Sequence, residues 1–168
     1  ASEGLSRIYS FTEAILHQGK TPSKKLLSLK VEEADADIRR RMGLEEGEEV
    51  YVIKSIYYAD GRPYCINPSI LPRKLFPKLE LFDFNHNSLY EVLKSFYQLS
   101  FTKARQILNA TVGSSEIYGY LETEENQPLL RINAASFCLY HDNETVFEIY
   151  ESYILTDILS YYVEKYNT

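Results

Sequence analysis

The sequence has no tryptophan, one methionine and only two cysteines among its 168 residues. Two cysteines cannot form the disulfide framework of a small secreted domain. Cys65 and Cys138 each lie in an apolar run, which predicts a buried, reduced thiol. No apolar run approaches the ~18 residues that a membrane span needs, and no signal peptide is visible. These absences predict a cytoplasmic protein without a membrane partner.

Acidic residues outnumber basic residues in this chain. Lys and Arg total 18 against 24 Asp and Glu, which gives a formal net charge of -6. The clusters Lys24-Lys25 and Arg39-Arg40-Arg41 are short, and runs of this length are usually solvated faces. An acidic chain without a basic stripe is not typical of a protein surface that binds nucleic acid.

Signatures of catalysis and of metal binding are missing as well. The histidines His17, His86 and His141 have no metal-ligand spacing with one another, with cysteine or with carboxylates. The sequence contains no G-x-S-x-G motif, no Walker loop and no G-x-G-x-x-G motif. We therefore predict no catalytic residue, no metal site and no cofactor.

What the sequence does contain is the pattern of a mixed α+β domain. Runs rich in Val, Ile and Tyr predict strands, and the turns Asp60-Gly61 and Asp142-Asn143 predict hairpins. This pattern favours an antiparallel sheet of about six strands with flanking helices. The predicted strands cover residues 25–31, 50–59, 64–71, 101–112, 129–140 and 145–155.

Short helices are predicted between the strands. The first, residues 11–17, begins at the capping-box pattern Ser10-Phe11-Thr12-Glu13, whose hydroxyls and free backbone N–H groups also predict an anion site. The second, residues 35–42, ends at Gly43. A fourth short helix is predicted after Ser114 or Ser115.

The third helix begins at a second capping-box pattern, Ser88-Leu89-Tyr90-Glu91. Its apolar residues recur with helical spacing, which predicts one buried stripe. The residues of that stripe are Leu89, Val92, Leu93 and Phe96.

Alternation along the strands groups the polar residues. Residues two apart on a strand share a face, so Ser55 and Tyr57 point the same way, as do Cys65 and Asn67 on the paired strand. On the last strand one face carries Glu148, Tyr150, Ser152 and Ile154.

Glu148 stands in an otherwise apolar strand and needs a partner if it is buried. A structural partner would be Arg131 or Lys54. The functional alternative is a polar group of a ligand.

Several short motifs follow one another in a recognisable order. They are Ser10-Phe11-Thr12-Glu13, Gly19-Lys20-Thr21-Pro22-Ser23, Ala59-Asp60-Gly61-Arg62-Pro63 after the strand 50–58, Ile70-Leu71-Pro72, Asn87-Ser88-Leu89-Tyr90-Glu91, and Pro128-Leu129-Leu130-Arg131-Ile132. With Glu148, Ser152 and Asp157 after them, they resemble the effector-binding domain of GntR-type bacterial transcription regulators of the UTRA class. The resemblance runs from Tyr9 to about Tyr162.

This resemblance implies a chorismate-lyase-like fold, a homodimer and a small-molecule effector such as a sugar phosphate. It also implies a winged helix-turn-helix N-terminal to this chain, through which alone DNA is bound. Residues 1–8 are then a linker remnant, and residues 9–168 form the effector-binding and dimerisation domain. The missing initiator methionine fits a piece of a longer protein.

The resemblance also implies an effector site. The family's phosphate cradle maps to Ser10, Phe11 and Thr12, a second contact maps to Ser88, and a sugar-binding glutamate maps to Glu148.

Other positions depart from the family's pattern. Two frequent arginines are Ser55 and Tyr57 here, a common glutamate is Asn67, and an aromatic position is Ile154. Fewer cations hold a phosphate less securely, so a neutral or less charged effector is an alternative. The cations considered as compensation are Lys54, Lys103, Arg105 and Arg131.

Two other functions stay open. The likeness to chorismate lyase allows an enzyme, although no arginine-flanked pocket with a matched acid and base is visible. A dimerisation module without a ligand would use the tyrosine-rich end of the chain, since tyrosine is enriched at interfaces. Those tyrosines are Tyr150, Tyr153, Tyr161, Tyr162 and Tyr166.

Overall fold

A computed structural model describes residues 11–159 and residue 167 of the chain. The helices are α1 (Phe11–His17), α2 (Ala36–Met42), α3 (Leu89–Ser95) and α4 (Ser115–Tyr120), with a short 3-10 helix at Leu79–Leu81. The strands are β1 (Pro22–Glu33), β2 (Glu49–Ala59), β3 (Arg62–Pro72), β4 (Ser100–Thr111), β5 (Leu129–Tyr140) and β6 (Asn143–Leu155).

The six strands form one sheet in the order β1-β2-β3-β6-β5-β4. Every neighbouring pair is antiparallel, which confirms the predicted α+β fold with an antiparallel sheet of about six strands. β1 and β4 are the edge strands. Within the described residues, no helix is long and apolar enough to cross a membrane.

Two tight turns connect the hairpins. Asp60 and Gly61 have φ of 49° and 78°, and positive φ at both positions matches the twist of the flanking strands. The last hairpin turns one residue earlier than predicted. His141 and Asp142 have the positive φ values, and Asn143 already begins β6.

Side chains alternate between two faces of the sheet. We call the face with Tyr51, Ser55 and Tyr57 the front face, and the face with Val50 and Lys54 the back face. The residues that pair with these across the ladders belong to the same face.

Helices cover parts of both faces. On the front, Leu79 of the 3-10 helix and Leu93 of α3 pack in one core cluster with Tyr51 and Phe147. On the back, the cluster beside α2 contains Met42, Val50 and Ile149. Burial of these apolar side chains is the main favourable term that fixes the helices on the sheet.

A third core cluster lies toward the other end of the sheet. Ile15 of α1 is buried there with Cys65 and Ile154, together with Tyr118 of α4 and Leu121, which caps the C-terminal end of α4. Cys65 is a buried free thiol, as is Cys138 in the front cluster, which confirms the expectation for both.

Helix α3 corrects two predictions. Phe96 is 64% exposed and does not belong to the buried stripe, because the helix ends at Ser95 and Phe96 is its C-terminal cap. The Ser88 side chain makes no capping hydrogen bond, so the second capping box is wrong. Its carbonyl oxygen still accepts from the N–H of Val92 and starts the helix.

Helix boundaries elsewhere follow the predicted signals. Asp35 caps α2 by accepting from the N–H of Ile38, and Gly43 ends that helix at φ 67°, a conformation that favours glycine. Ser114 caps α4 by accepting from the N–H of Ile117.

Candidate functional site

A belt of polar side chains crosses the front face between the two apolar clusters. Its members come from β2, β3, β6 and β5, which are neighbours in the sheet. All except Asn67 are buried. We call this set the polar belt, and its residues are Ser55, Asn67, Ser69, Ser136, Glu148 and Ser152.

Glu148 is the charged member of the polar belt and is 1% exposed. The Ser69 hydroxyl donates to its Oε2 at 2.5 Å, and the Tyr90 hydroxyl of α3 donates to its Oε1. Burial raises the pKa of the carboxyl, and the two hydroxyl donors act in the opposite direction. Its partners are thus neutral groups.

The predicted structural partners of Glu148 are wrong. Arg131 Nε contacts Glu151 Oε1 at 2.7 Å, and Lys54 Nζ contacts Glu116 Oε1 at 3.6 Å. Both cations lie on the back face, because the side chains of β2 and β5 alternate and their neighbours point to the front.

A β-bulge at Phe147 sets the direction of Glu148. Ser136 pairs with Glu148 and Phe137 pairs with Val146, so β6 has one residue more than β5 at this point. Phe147 is fully buried, with edge-to-face contacts that hold the bulge in the front cluster.

Asn67 and Ser152 join β3 to β6 where the backbone ladder is interrupted. The ladder skips Asn67 and Pro68, and Pro68 has no N–H to donate. The Ser152 hydroxyl donates to Asn67 Oδ1 at 2.7 Å across this gap. Side chains thus replace backbone hydrogen bonds beside Glu148.

Three tyrosines border the polar belt. Burial strongly raises the pKa of Tyr57, with further contributions from Cys65 and Glu148, and burial likewise raises the pKa of Tyr90. The Oη of Tyr150 accepts from Gln106 Nε2 at 2.7 Å. The raised pKa values keep the phenols of Tyr57 and Tyr90 neutral, so each can donate a hydrogen bond.

Tyr150 also corrects the expectation of a tyrosine-rich interface. It is buried on the front face instead of lying on the surface. Tyr153 is partly buried on the back face, where its hydroxyl donates to Glu151. The other tyrosines of that group, Tyr161, Tyr162 and Tyr166, lie outside the described residues.

Four of the predicted effector residues meet on the front face, as alternation indicated. They are Ser55, Tyr57, Asn67 and Glu148. Ile154 shares this face but lies in the apolar cluster as the ladder partner of Cys65.

Two of the residues that were predicted to contact the effector from the helices lie at the protein surface. Thr12 on α1 and Ser88 before α3 are exposed. Ser10 and the side chain of Phe11 lie outside the described residues. The predicted anion cradle therefore stays a prediction.

The sequence patterns missed four residues of this region. Ser69 lies two positions after Asn67, so extending the alternation along β3 would have found it. Ser136 alternates in the same way with apolar residues of β5. Tyr90 and Gln106 have no local signal, because α3 and β4 bring them here only in the folded chain.

The sequence of the chain matches a known protein family. Residues 17–160 match the model of the UTRA domain. The chain is 24% identical over 160 residues to YurK of Bacillus subtilis strain 168, an HTH-type transcriptional regulator described as uncharacterized. It is 23% identical over 146 residues to the HTH-type transcriptional repressor NagR of the same strain.

These regulators are longer than the chain. The match with YurK covers 89% of this chain and 66% of YurK, and the match with NagR covers 87% and 58%. The crystal structure of the effector domain of PhnF from Mycobacterium smegmatis shares the fold, with a TM-score of 0.85 at 20% identity over 94% of this chain and 95% of that one. Because the family model matches most of its length, the chain belongs to the UTRA domain family.

Proposed function

We propose that this domain binds a small-molecule effector at the polar belt, and that binding modulates the attachment of a transcription regulator to DNA. The observation that carries the proposal is the buried Glu148 carboxylate with its neutral partners, Ser69 and Tyr90. Apolar residues would fill this part of the sheet at lower cost, so the polar groups indicate a binding role. The regulators that the chain resembles support the same reading.

The DNA contact is proposed to come from a helix-turn-helix domain N-terminal to residues 9–168, with residues 1–8 as linker. Effector binding shifts such a regulator only if the effector has different affinities for its two states. Ile15 of α1 packs with Ile154 beside the belt. A ligand bound at the polar belt would therefore lie close to α1, the first helix that the structure describes, and its binding would shift this helix.

The domain is proposed to act as a homodimer in the cytoplasm, as a sensor without catalytic activity, metal or cofactor. The edge strand β4 supports self-association, because it leaves Ile107 61% exposed, followed by Val112 at 63%. Large exposed apolar side chains along an unpaired strand edge favour pairing with another chain.

Calorimetry on the purified domain tests the sensor function. A panel of sugars, sugar phosphates, amino acids and organic acids is titrated into the unmodified domain and into two matched variants. Glu148→Gln should weaken binding, whereas Glu144→Gln changes a glutamate of the same strand on the back face and should not. The longer regulator that contains this domain should release or bind its operator when the same compound is added.

Two results would contradict the proposal. If the two variants bind the compound equally well, the polar belt is not the site. If nothing binds while size-exclusion chromatography shows a dimer, a dimerisation module without a ligand is favoured. Turnover of added chorismate would instead support an enzyme.

A further inference from the structure

We infer that Lys24 on the edge strand β1 binds an anionic group of the effector, which is a phosphate or a carboxylate. This inference rests on the proposed function, because it names a further binding residue and a chemical class for the same ligand. Three observations carry it. They are the face on which Lys24 lies, the way its ammonium is bound, and the position of the segment that holds it.

Most cations of the strands lie on the back face of the sheet. Three of them contact carboxylates at 2.7 to 3.6 Å, and a fourth lies 5.5 Å from the centre of the Phe137 ring. The sheet itself separates these side chains from a ligand on the front face. They are the four cations that the sequence suggested as compensation for the missing arginines: Lys54, Lys103, Arg105 and Arg131.

Lys24 lies on the front face. The ladder pairs it with Tyr57, which borders the polar belt, and the Cβ atoms of such a pair are about 4.5–5.5 Å apart. The next residue, Lys25, lies on the back face. Arg62, at the β2–β3 turn, is also on the front face but contacts Asp157 at 3.0 Å. Among the front-face strand cations that the structure describes, Lys24 is therefore the one without a carboxylate partner.

The ammonium of Lys24 has donors to spare. Its Nζ donates to the carbonyl oxygen of Asn87 at 2.5 Å, and a lysine ammonium has three donors. Burial lowers the pKa of this lysine, while the charge of Asp83 acts in the opposite direction without an ion pair within the described residues. Asp83 itself contacts His86 Nδ1 at 2.6 Å. Because burial disfavours the charged ammonium, a bound anion would stabilise it.

The segment that holds Lys24 continues directly to the polar belt. Asn87 precedes Ser88, whose exposed hydroxyl does not cap α3 and has no hydrogen-bond partner in the described part of the chain. Two residues further, the Tyr90 hydroxyl donates to Glu148. An anion on Lys24 would thus lie next to a residue with an available hydroxyl donor, on the same short segment that reaches the belt.

The anionic group and the buried carboxylate would be kept apart. Lys24 lies on β1 and Glu148 on β6, with β2 and β3 between them. Charges of one sign repel strongly where water is excluded, so the anionic end of an effector is favoured at Lys24 and disfavoured at Glu148. The two positions therefore give the effector a direction across the front face.

A purely structural role does not require a lysine at this position. The loop that contains Asn87 is also fixed to β1 by Asn85, whose Oδ1 accepts from the N–H of Leu26 at 2.9 Å. This second contact does not involve Lys24. Replacing the lysine should therefore leave the loop in place, and the variants below can be compared with the unmodified domain.

Matched compounds test the chemical class. Glucose is compared with glucose 6-phosphate and glucuronate, galactose with galactose 6-phosphate and galacturonate, and glycerol with glycerol 3-phosphate and glycerate. Binding is measured by calorimetry on the unmodified domain. An anionic member of a set should bind about tenfold or more tightly than its neutral member. Comparing the phosphate with the carboxylate in each set identifies the preferred anion.

Three variants locate the effect. Lys24→Gln should weaken binding of the preferred anionic compound about tenfold and leave binding of its neutral counterpart within about twofold. Lys24→Arg keeps the charge and should restore most of the affinity. Lys25→Gln removes the neighbouring charge on the back face and should change neither affinity. Circular dichroism and thermal unfolding check that all three variants are folded.

The inference fails separately from the proposed function. If the neutral members bind as tightly as the anionic ones, or if Lys24→Gln leaves the preference for the anion unchanged, Lys24 is not the anion ligand and the sensor function stands. Equal effects of Lys24→Gln and Lys25→Gln would reduce the result to net charge and overturn the inference as well. If no compound of any class binds, the sensor function itself is contradicted, and the inference falls with it.

Discussion

Glu144 and Glu148 lie on the same strand but in opposite environments. Glu144 is on the back face, where its side chain is 41% exposed and a hydrogen bond from Lys103 lowers its pKa. Glu148 is on the front face, where burial raises its pKa and its partners are hydroxyls. The same residue type therefore serves a solvated ion pair on one face and a buried polar belt on the other.

The two faces also differ in what their polar groups contribute. Solvent-exposed ion pairs such as Lys103 with Glu144 add little to the free energy of unfolding. A buried carboxylate depends on every partner that it has, because water cannot replace a lost donor. Changes on the front face should therefore cost more than matched changes on the back.

The largest effect should come from breaking the bulge that separates the two glutamates. Phe147→Ala removes a fully buried ring from the front cluster and should lower the free energy of unfolding by about 3–5 kcal/mol. The matched change on the back face is Phe137→Ala, whose ring is only partly buried beneath Lys103. Urea unfolding measures both. If the two variants lose the same free energy of unfolding, the prediction that Phe147 contributes more than Phe137 is wrong.

A smaller effect should come from removing one phenolic hydroxyl on each face. Tyr90→Phe takes a donor from the buried Glu148 and should cost about 1.5–3 kcal/mol. Tyr153→Phe takes a donor from Glu151 on the back face, which keeps Arg131 and access to solvent, so its cost should be lower. Chemical unfolding of both variants at neutral pH provides the comparison. A larger loss for Tyr153→Phe would contradict it.

The pH dependence of unfolding should have opposite signs for the two glutamates. Because the pKa of Glu148 is raised in the folded state, this residue contributes stability that is fully present below its unfolded-state pKa. That contribution is lost as the pH rises through the folded-state pKa. The free energy of unfolding then falls by at most about 1.4 kcal/mol per pH unit. The lowered pKa of Glu144 gives stability that is present above the unfolded-state pKa and is lost as the pH falls through the folded-state pKa.

Unfolding experiments across the acidic and neutral range separate these contributions. Glu148→Gln should remove the component that falls with rising pH, and Glu144→Gln should remove the component that falls with decreasing pH. A pH profile of Glu148→Gln that coincides with that of the unmodified domain would refute the assignment for Glu148.

The smallest effect should come from Ser136, and its sign should be opposite to that of Ser69, another serine of the polar belt. Ser136→Ala removes a buried hydroxyl without a partner in the described part of the chain, and should raise the free energy of unfolding by up to about 1 kcal/mol. Ser69→Ala removes a donor to Glu148 and should lower it. Thermal unfolding without ligand measures both. A loss of stability in Ser136→Ala would mean that its hydroxyl has a partner.

The sequence alone was sufficient to predict the sheet, the first hairpin turn and part of the site. Strand alternation is a property of the extended backbone, so it grouped Ser55, Tyr57 and Asn67 correctly without any knowledge of the fold. The turn at Asp60-Gly61 was equally readable, because the residues that tolerate positive φ are few. Both patterns depend only on residues that are close together in the chain, so they can be recognised in a single sequence.

The surroundings of Glu148, by contrast, depend on how distant parts of the chain pack together. The bulge at Phe147 breaks the alternation of β6, which would otherwise put Glu144 and Glu148 on one face. The packing of α3 brings Tyr90 to the carboxylate from a distant part of the chain. Strand order and helix packing arise from burial of apolar surface over the whole domain, and no short stretch of sequence contains that information.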